Sequence, residues 1–558
     1  MSKELFTKSE KFKEEYSVRI HKIGDMIPVP NSDFLAYTVV SDETIVLRKD
    51  MNKPGDVLFY VTKECVINPD FLKKNNQYMY DYRELNENYA EVQSLIDESE
   101  KLKESEPEKS AELLEKSKRL VGYFNESGRV RIKELRGMVS SGYMFELASL
   151  LKWKPELKSY FDEHPIESFL TADDEADFMF DTIDGELFVW PYIPKTNTQQ
   201  KNSGKKKSTK KEKKVAKFDR IIPEHFDLHY DTHKFGDNIF RIKPDDVVDI
   251  SIKEHGTSVV ICNVITRFPL KIAFYKRWYN KIVDNIGLKK YRITDTYEDF
   301  GNVYSTRNVV QNGTLDLKEG SKNAYYSHNV YSDINDIVKD FIPKGVSIYG
   351  EIVGFVSQGG GYVQKDYNYG CDRNGIDGPV NKLMIYRVSE ELPNGKKKEY
   401  TVSEVAEFTK KLIERLPDEN KDRVMVIPVL YHGTLKELYP EISTENHWHE
   451  NVLLAMKADK EHFGMEEKET LCVEEVDPNT RKKKKKLPPR EGVVIRVEVP
   501  FDPEADVQNP LATDAFKLKT EAFAKKEAKE YDAGVVDMEV AGTDYSSPDD
   551  VTSEPQQS

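Results

Sequence analysis

Short apolar stretches separated by turn-forming residues occupy the beginning of the chain. YSVRIHKI, FLAYTVV, ETIVLR and DVLFYVT are divided by the turn signals PNSD, SDE and NKPGD. Alternation of apolar and polar residues places one side of such a segment in a core and the other in solvent, which is typical of β-strands. Short strands joined by tight turns predict a small barrel or sandwich, and we expect an OB-like β-barrel.

A helical pattern replaces this alternation between about residues 83 and 122, where charged residues are abundant and Pro107 interrupts the pattern. The spacing predicts a helical hairpin inserted into the barrel, either as a solvated appendage or as a partner-binding arm. Strand-like sequence then resumes in GRVRIKELRGMVSSGYMFEL. We therefore expect an OB-like nucleic-acid-binding domain over residues 1–195.

The polar segment 196–217 has no hydrophobic periodicity and predicts a basic flexible linker. A second domain is expected over residues 218–530, followed by a disordered acidic tail over 531–558. In the second domain, strand-like stretches are not followed one by one by crossover helices, so several are expected to pair antiparallel. The predicted fold class is α+β.

Composition adds limits to this picture. A chain of 558 residues with 38% hydrophobic content is long enough for several cores. The formal charge of −15 is unevenly distributed, with lysines concentrated at 201–217 and 481–486. Either run is a solvated segment or a contact for a polyanion. We expect a cytoplasmic protein without membrane association, because no apolar run approaches the ~18 residues that span a bilayer. The four separated cysteines predict reduced, buried thiols.

The most informative segment is DISIKEHGTSVVICNV, in which Lys253 interrupts a strand-like pattern just before Gly256. The chain has neither a P-loop nor a GxGxxG motif, so phosphate chemistry requires other groups. A lysine at the end of a strand can present its amine to a nucleotide, while a glycine allows close backbone approach. K-x-x-G is common by chance, and a surface lysine before a turn glycine is the alternative interpretation.

The order of the downstream segments favours the functional interpretation. Charged or aromatic residues stand within apolar strand-like stretches at Glu351 in VSIYGEIVG, Tyr386 in LMIYRV, Glu491 in REGVVIRVE, and Lys517 and Lys519 in AFKLKT. In this order they resemble the covalent nucleotidyltransferases, the polynucleotide ligases and messenger-RNA capping enzymes. K-E-H-G-T-S resembles the RNA-ligase branch. STRN at 305–308, GEIVGFVSQGGGYVQKDYNYGC and RVRIKELRGMVSSGY resemble ATP-dependent RNA ligases that carry an N-terminal OB module.

The resemblance implies a nucleotidyltransferase domain of the ATP-grasp-like ligase type and a role for each matching residue. Lys253 would form a lysyl-AMP intermediate, Glu351 would bind ribose or metal, and Glu491 would bind metal. The remaining implied nucleotide contacts are Gly256, Arg307, Tyr386, Lys517 and Lys519, with Arg307 also contacting the 3′-OH end and Tyr386 stacking on adenine. For Tyr386, core packing is an equal alternative. Because Lys517 and Lys519 are two residues apart, they are expected on one strand face.

The implied cofactors are ATP and Mg²⁺ or Mn²⁺, and the implied partner is nucleic acid, either RNA ends or a nicked duplex with RNA on the 3′-OH side. We expect a monomer. A reactive lysine must be neutral, so burial, neighbouring cations such as Lys517 and Lys519, and a metal are expected to lower the pKa of Lys253. Ile252 departs from the glutamate that precedes the lysine in many RNA ligases. A DNA-joining ligase, a capping-type guanylyltransferase and a non-catalytic OB-type nucleic-acid-binding protein remain alternatives.

Overall fold

A computed structural model describes the larger part of the chain. The described residues are 5–170, 179–193, 218–229, 232–270, 272–291, 293–307, 309–315, 329–445, 447–464, 468–473, 487–499, 502 and 515–533. The segment 196–217, the lysine run 481–486 and the residues after 533 lie outside this description. The chain divides into two compact units, Met1–Asn197 with Ala524–Ser558, and Thr198–Phe523.

The first unit contains short strands and short helices. Its strands are β1 Phe6–Thr7, β2 Val18–Lys22, β3 Ile27–Pro28, β4 Leu35–Val40, β5 Glu43–Arg48, β6 Val57–Val61, β7 Cys65–Ile67, β8 Ile132–Leu135, β9 Met138–Ser141, β10 Tyr143–Phe145, β11 Met179–Phe180, β12 Thr182–Ile183, β13 Glu186–Leu187 and β14 Val189–Pro191. Its helices are α1 Pro69–Lys74, α2 Tyr89–Leu102, α3 Pro107–Arg119, α4 Leu147–Trp153 and α5 Lys158–Glu163.

The core of this unit lies against the sheet ordered β10-β6-β2-β11. Val18 pairs with Val61 and Ile20 pairs with Phe59, and these four side chains are fully buried. The other described strands belong to separate small sheets, so in this part of the chain the strands do not close into the expected barrel. A barrel needs a continuous hydrogen-bonded ladder around its circumference, which these short strands do not form.

The region predicted as a helical hairpin contains α2 and α3. They are joined by reciprocal hydrogen bonds, since Ser99 Oγ donates to the carbonyl of Ser110 and Ser110 Oγ donates to the carbonyl of Ser99, each at 2.8 Å. Pro107 is the first residue of α3, where its missing N–H leaves no helical hydrogen bond unmade. Small serine side chains thus let the two helices approach closely.

The second unit holds the longer strands. They are β15 Phe218–Asp219, β16 His233–Lys234, β17 Val247–Lys253, β18 Thr257–Pro269, β19 Thr296–Thr306, β20 Thr314–Leu315, β21 Val346–Gly354, β22 Asn381–Glu391, β23 Lys397–Glu399, β24 Val424–Val426, β25 Val429–Thr434, β26 Gly492–Val497 and β27 Ala515–Lys519. The helices are α6 Phe235–Asn238, α7 Phe274–Asn285, α8 Val330–Val338, α9 Val402–Arg415, α10 Leu435–Leu438, α11 Trp448–Ala458 and α12 Glu521–Asp532. Helix α12 crosses the boundary at residue 523 and extends into the segment predicted as the tail.

Two larger sheets form the framework of this unit. One has the order β16-β27-β26-β17-β25, and the other has the order β19-β18-β21-β22-β23 with β24 beside β22. Most pairs are antiparallel, and β16 with β27 and β22 with β24 are parallel. The expected mixed fold with mainly antiparallel sheets is confirmed.

The sheet that contains β18 is buried on both faces. Val259 and Ile261 pack in a cluster with residues of α8 and α9, whereas Val260, Cys262 and Val264 pack in a cluster on the opposite face. A strand covered on both sides needs apolar residues at consecutive positions, which explains the run VVIC. The four cysteines are buried thiols outside any disulfide, as predicted. Among the described residues, the helices are too short or too polar to cross a membrane.

Candidate active site

Lys253 is the last residue of β17 and points away from the strand's apolar side. The alternate residues Val248, Ile250 and Ile252 are at most 3% exposed, which places Lys253 on the opposite face. Lys253 pairs with Gly492 on β26, and Gly492 pairs with Lys519 on β27. Strand register alone therefore brings the two lysines and Glu491, which precedes Gly492, to one end of three adjacent strands.

The Glu491 carboxylate lies among three nitrogen-bearing side chains. Its Oε1 is 2.7 Å from Lys253 Nζ and 4.0 Å from Lys519 Nζ, and its Oε2 is 3.0 Å from His255 Nδ1. Burial would raise the pKa of Glu491, but the charge of Lys253 and the hydrogen bond and charge of His255 outweigh it and hold this pKa well below its usual range. Glu491 is therefore ionised in the folded protein.

The same arrangement raises the pKa of Lys253, although we expected it to be lowered. Burial lowers the pKa of the Lys253 amine, and so does Lys519, but attraction to Glu491 and Glu351 leaves the pKa above its ordinary value. The prediction of a lowered pKa was wrong for this state of the protein. The reason is that the carboxylates adjacent to the amine outweigh the nearby cation and the cost of burial.

Glu351 on β21 is fixed by the first residues after the Lys253 strand. The Gly256 N–H donates to Glu351 Oε1 and the Ser258 hydroxyl donates to Oε2, both at 3.1 Å. A Cβ atom at Gly256 would lie 2.4 Å from the backbone oxygen of Ile352, so no larger residue fits without movement. The glycine is thus required by the close approach of β21, whose Glu351 it also binds.

Of the other predicted cations, Lys517 and Lys519 lie on β27 and Arg307 follows β19. Lys517 and Lys519 are partly exposed on one face of β27, while Phe516 and Leu518 are fully buried on the other face. Arg307 directly follows β19, where Thr306 pairs with Val259. Since Ser258 pairs with Glu351, the register places Arg307 at about the level of Glu351, two strands away.

Tyr386 has a different environment. Its hydroxyl is hydrogen-bonded to His229 Nδ1 at 3.0 Å, and its side chain packs against the cluster that includes Val260, Cys262 and Tyr349. These contacts are of the core-packing kind that the sequence left open. Adenine stacking by Tyr386 stays a prediction.

The segment between β21 and β22 supplies residues that sequence reasoning did not single out. Gln364 Nε2 donates to the Gly256 carbonyl at 2.9 Å, and the Tyr369 hydroxyl accepts a hydrogen bond from the His255 N–H at 2.6 Å. Tyr367 packs edge-on against the His255 ring with centroids 4.8 Å apart, and its hydroxyl donates to the Pro489 carbonyl at 2.6 Å. One segment thus holds both the turn after Lys253 and the approach to Glu491. The run YVQKDYNYGC was the available signal.

Glu254 is a buried carboxyl beside the proposed nucleophile. It is 4% exposed, and its Oε1 makes no hydrogen bond within the described structure. Burial, with smaller contributions from Glu351 and Glu469, raises its pKa well above the usual range. Nothing in the sequence pattern distinguished this glutamate from a solvated one, because its burial results from the segments that fold over it.

Two sets of residues have the donor atoms that a metal requires. Glu351 and Glu491 both act electrostatically on Lys253, and such a pair suits Mg²⁺, which uses few protein oxygens and keeps several waters. In the described ranges, a group of three ligand-type residues within 4.8 Å is formed instead by Asp249, His432 and Glu498. His432 Nδ1 is already bonded to Asp249 Oδ1 at 2.8 Å.

Comparisons with known proteins give structural neighbours only. No family profile and no curated protein matches the sequence. A mutant RNA ligase of Naegleria gruberi with ATP and Mn is similar over 91% of this chain and 98% of that chain, at 13% identity and a TM-score of 0.40. A mutant of the same ligase with AMP and Mn covers 91% and 98% at 14% identity and a TM-score of 0.40. The ligase with PPi covers 93% and 100% at 14% identity and a TM-score of 0.40.

Proposed function

We propose that this protein is an ATP-dependent RNA ligase that joins 3′-OH and 5′-phosphate ends through a lysyl-AMP intermediate. The observation that carries the proposal is the position of Lys253, 2.7 Å from the buried Glu491 and on the same strand ends as Lys519. The sequence order of the surrounding motifs supports it. A partly buried lysine beside two carboxylates and a second lysine is an arrangement suited to nucleotidyl transfer.

The reaction would proceed in three transfers. The Lys253 amine attacks the α-phosphate of ATP, an N–P bond forms, and pyrophosphate leaves as the P–O bond breaks. A 5′-phosphate oxygen then attacks the lysyl-AMP phosphorus, which breaks the N–P bond and gives an adenylylated end. A 3′-OH finally attacks the 5′-phosphate of that end, a phosphodiester forms, and AMP leaves.

The residues of the site divide this work. Lys253 must lose a proton before it attacks, and its pairing with Glu491 opposes that loss. A divalent cation held by Glu351 and Glu491 would supply positive charge at the phosphates and weaken their hold on the lysine proton. Lys517 and Lys519 would place positive charge where pyrophosphate departs, and Arg307 would contact the nucleotide and the 3′-OH end. Gly256 and Ser258 keep Glu351 in place.

Covalent labelling tests the first transfer. The protein incubated with Mg²⁺ and ATP radiolabelled at the α-phosphate should retain label after denaturation, and Lys253→Ala should abolish it. Lys253→Arg should fail as well, since a guanidinium stays protonated. Lys410→Ala, on the exposed face of α9, is the matched control and should label normally. Full labelling of Lys253→Ala would refute the assignment, and labelling by GTP alone would indicate a capping-type enzyme.

A sealing panel tests the substrate. Nicked duplexes with ribose or deoxyribose on each side of the nick should be sealed when ribose lies on the 3′-OH side. Equal sealing of the all-DNA nick would change the proposal to a DNA-joining ligase. Labelling without sealing of any substrate would leave a nucleotidyltransferase of another kind.

A further inference from the structure

Helix α7, between β18 and β19, exposes an unusual number of large apolar side chains. Phe274 is 79% exposed, Tyr275 is 68% exposed and Trp278 is 62% exposed. Residues around them on the helix and just beyond it are exposed as well: Leu270, Tyr279, Ile282, Ile286, Leu288 and Tyr291. Single exposed apolar residues are common on protein surfaces, whereas a contiguous group of them marks a binding surface.

The helix is attached to the protein through its opposite side. Asn280 and Val283 are buried, at 3% and 4% exposure. The Asn280 side chain donates to the Ile293 carbonyl and accepts from the Ile293 N–H, both at 2.8 Å. A surface helix normally turns its apolar side inward. Here a polar anchor fixes the helix with its aromatic side outward.

Positive charge accompanies the aromatic side chains. Arg277, Lys281 and Lys290 are exposed, and Lys276 is partly exposed, against the single acidic residue Asp284 between residues 272 and 291. The Lys290 Nζ lies 4.9 Å from the centroid of the Tyr291 ring. This local excess of cations stands in a chain whose formal charge is −15. Its charge is complementary to a polyanion and opposite to that of most of the protein.

We propose that the exposed side of α7, with Phe274, Tyr275, Trp278, Arg277 and Lys281, binds single-stranded RNA that flanks the reacting ends. The choice of RNA as the ligand rests on the proposed ligase function, whereas the exposure and charge of α7 do not involve Lys253. Bases stack on exposed aromatic rings without regard to sequence, and neighbouring cations contact the phosphates.

The position of α7 sets the length of RNA that can reach it. β19 runs from Thr296, near α7, to Thr306, beside Arg307. Ten residue steps along an antiparallel strand correspond to about 34 Å, or about ten stacked nucleotides at ~3.4 Å each. A strand whose reacting end lies near Arg307 would therefore contact α7 only when it is longer than about ten nucleotides.

Fluorescence anisotropy with labelled single-stranded RNA tests this surface in the full-length protein. The variant Phe274→Ser/Trp278→Ser should weaken binding of a 20-nucleotide RNA about tenfold or more. Arg277→Gln/Lys281→Gln should make the slope of log K against log salt concentration less steep by about 1.4, which is the contribution of two phosphate contacts to a single strand. Ile376→Ser, which changes another side chain that is 79% exposed, should have no effect.

Other occupants give different results. Unchanged RNA affinity in both double variants would overturn the proposal. Loss of a dimer in sedimentation without loss of RNA affinity would make α7 a contact between copies of this chain, and loss of binding to phosphatidylserine vesicles alone would make it a lipid contact. Covalent ATP labelling should be unchanged in the α7 variants. Absence of labelling in the unmodified protein, with RNA binding still dependent on α7, would refute the ligase proposal and leave the RNA surface intact.

Discussion

The amine of Lys253 lies 2.7 Å from Oε1 of Glu491, and the two residues are held together by the pairing of Lys253 with Gly492. Lys519 approaches the same carboxylate oxygen to 4.0 Å. The charge on each group therefore depends on the other two. Without nucleotide, this arrangement holds the lysine protonated and the glutamate ionised.

The pKa of Lys253 should respond in opposite directions to two substitutions. Glu491→Gln removes the main attraction on the ammonium, so the pKa should fall as burial dominates, whereas Lys519→Gln removes a repelling cation and should raise it. The measurement is the pH dependence of Lys253 modification by an amine-reactive reagent, quantified by peptide mass spectrometry. At a pH below the folded pKa, modification should be faster in Glu491→Gln than in the unmodified protein. Shifts of the same sign in both variants would contradict the arrangement.

Gly256→Ala should displace Lys253 relative to Glu351 and slow ATP labelling. The added Cβ would lie 2.4 Å from the Ile352 oxygen and 2.8 Å from Glu351 Cγ, so either β21 or the turn after Lys253 must move. A displacement of about 1 Å at reacting groups costs about 100-fold in rate, which is the loss expected in ATP labelling. Gly361→Ala is the control, because its Cβ would meet no atom within 4 Å. Equal loss in both variants would point to a general glycine effect.

Tyr369→Phe should slow labelling without unfolding the protein. The His255 N–H would lose its 2.6 Å partner, and a buried unsatisfied donor costs about 1–3 kcal/mol. Since His255 also faces Glu491, we expect labelling to slow by about tenfold, or ~1.4 kcal/mol. Single-turnover labelling measures this, with the exposed Tyr297→Phe as control. An unchanged rate would show that the turn keeps its geometry without this contact.

Arg129→Met should destabilise the first unit. The Arg129 side chain is 1% exposed, lies 2.6 Å from Glu64, contacts Asp532 and stacks on Tyr192 at 4.5 Å. Removing one member of a buried ion pair leaves its partner uncompensated and costs about 3 kcal/mol, visible as a lower midpoint in urea denaturation. Arg129→Met/Glu64→Leu should recover most of the loss. A double variant as unstable as the single one would mean that packing by the guanidinium dominates.

The strand positions of three residues of the candidate site followed from local rules in the sequence. The two-residue spacing of Lys517 and Lys519 placed them on one strand face, and the polar interruption at Lys253 marked the end of β17. The strand-like pattern of GRVRIKELRG does not reveal that Arg129 is buried. In the structure it is buried with Glu64, 65 residues away.

The remaining features depend on contacts between distant parts of the chain. Tyr369 meets His255 across 114 residues, and Gln364 meets Gly256 across 108 residues. The hydrophobic periodicity of the sequence does not predict contacts between residues so far apart in the chain. The same holds for the direction in which the pKa of Lys253 is shifted. Glu491 raises this pKa, and strand register, not the motif around the lysine, brings Glu491 to the amine.

The shared register of β17, β26 and β27 also limits how this chain can change. Lys253, Gly492 and Lys519 occupy one row across three strands, and a one-residue insertion within β26 would shift the residues on one side of it by a position. Because side chains alternate between the two faces of a strand, that shift would turn the polar side chains of the candidate site toward the core and apolar side chains toward the site. Length variation should therefore accumulate between Val497 and Ala515, in the connection of β26 to β27, while the strands themselves keep their lengths.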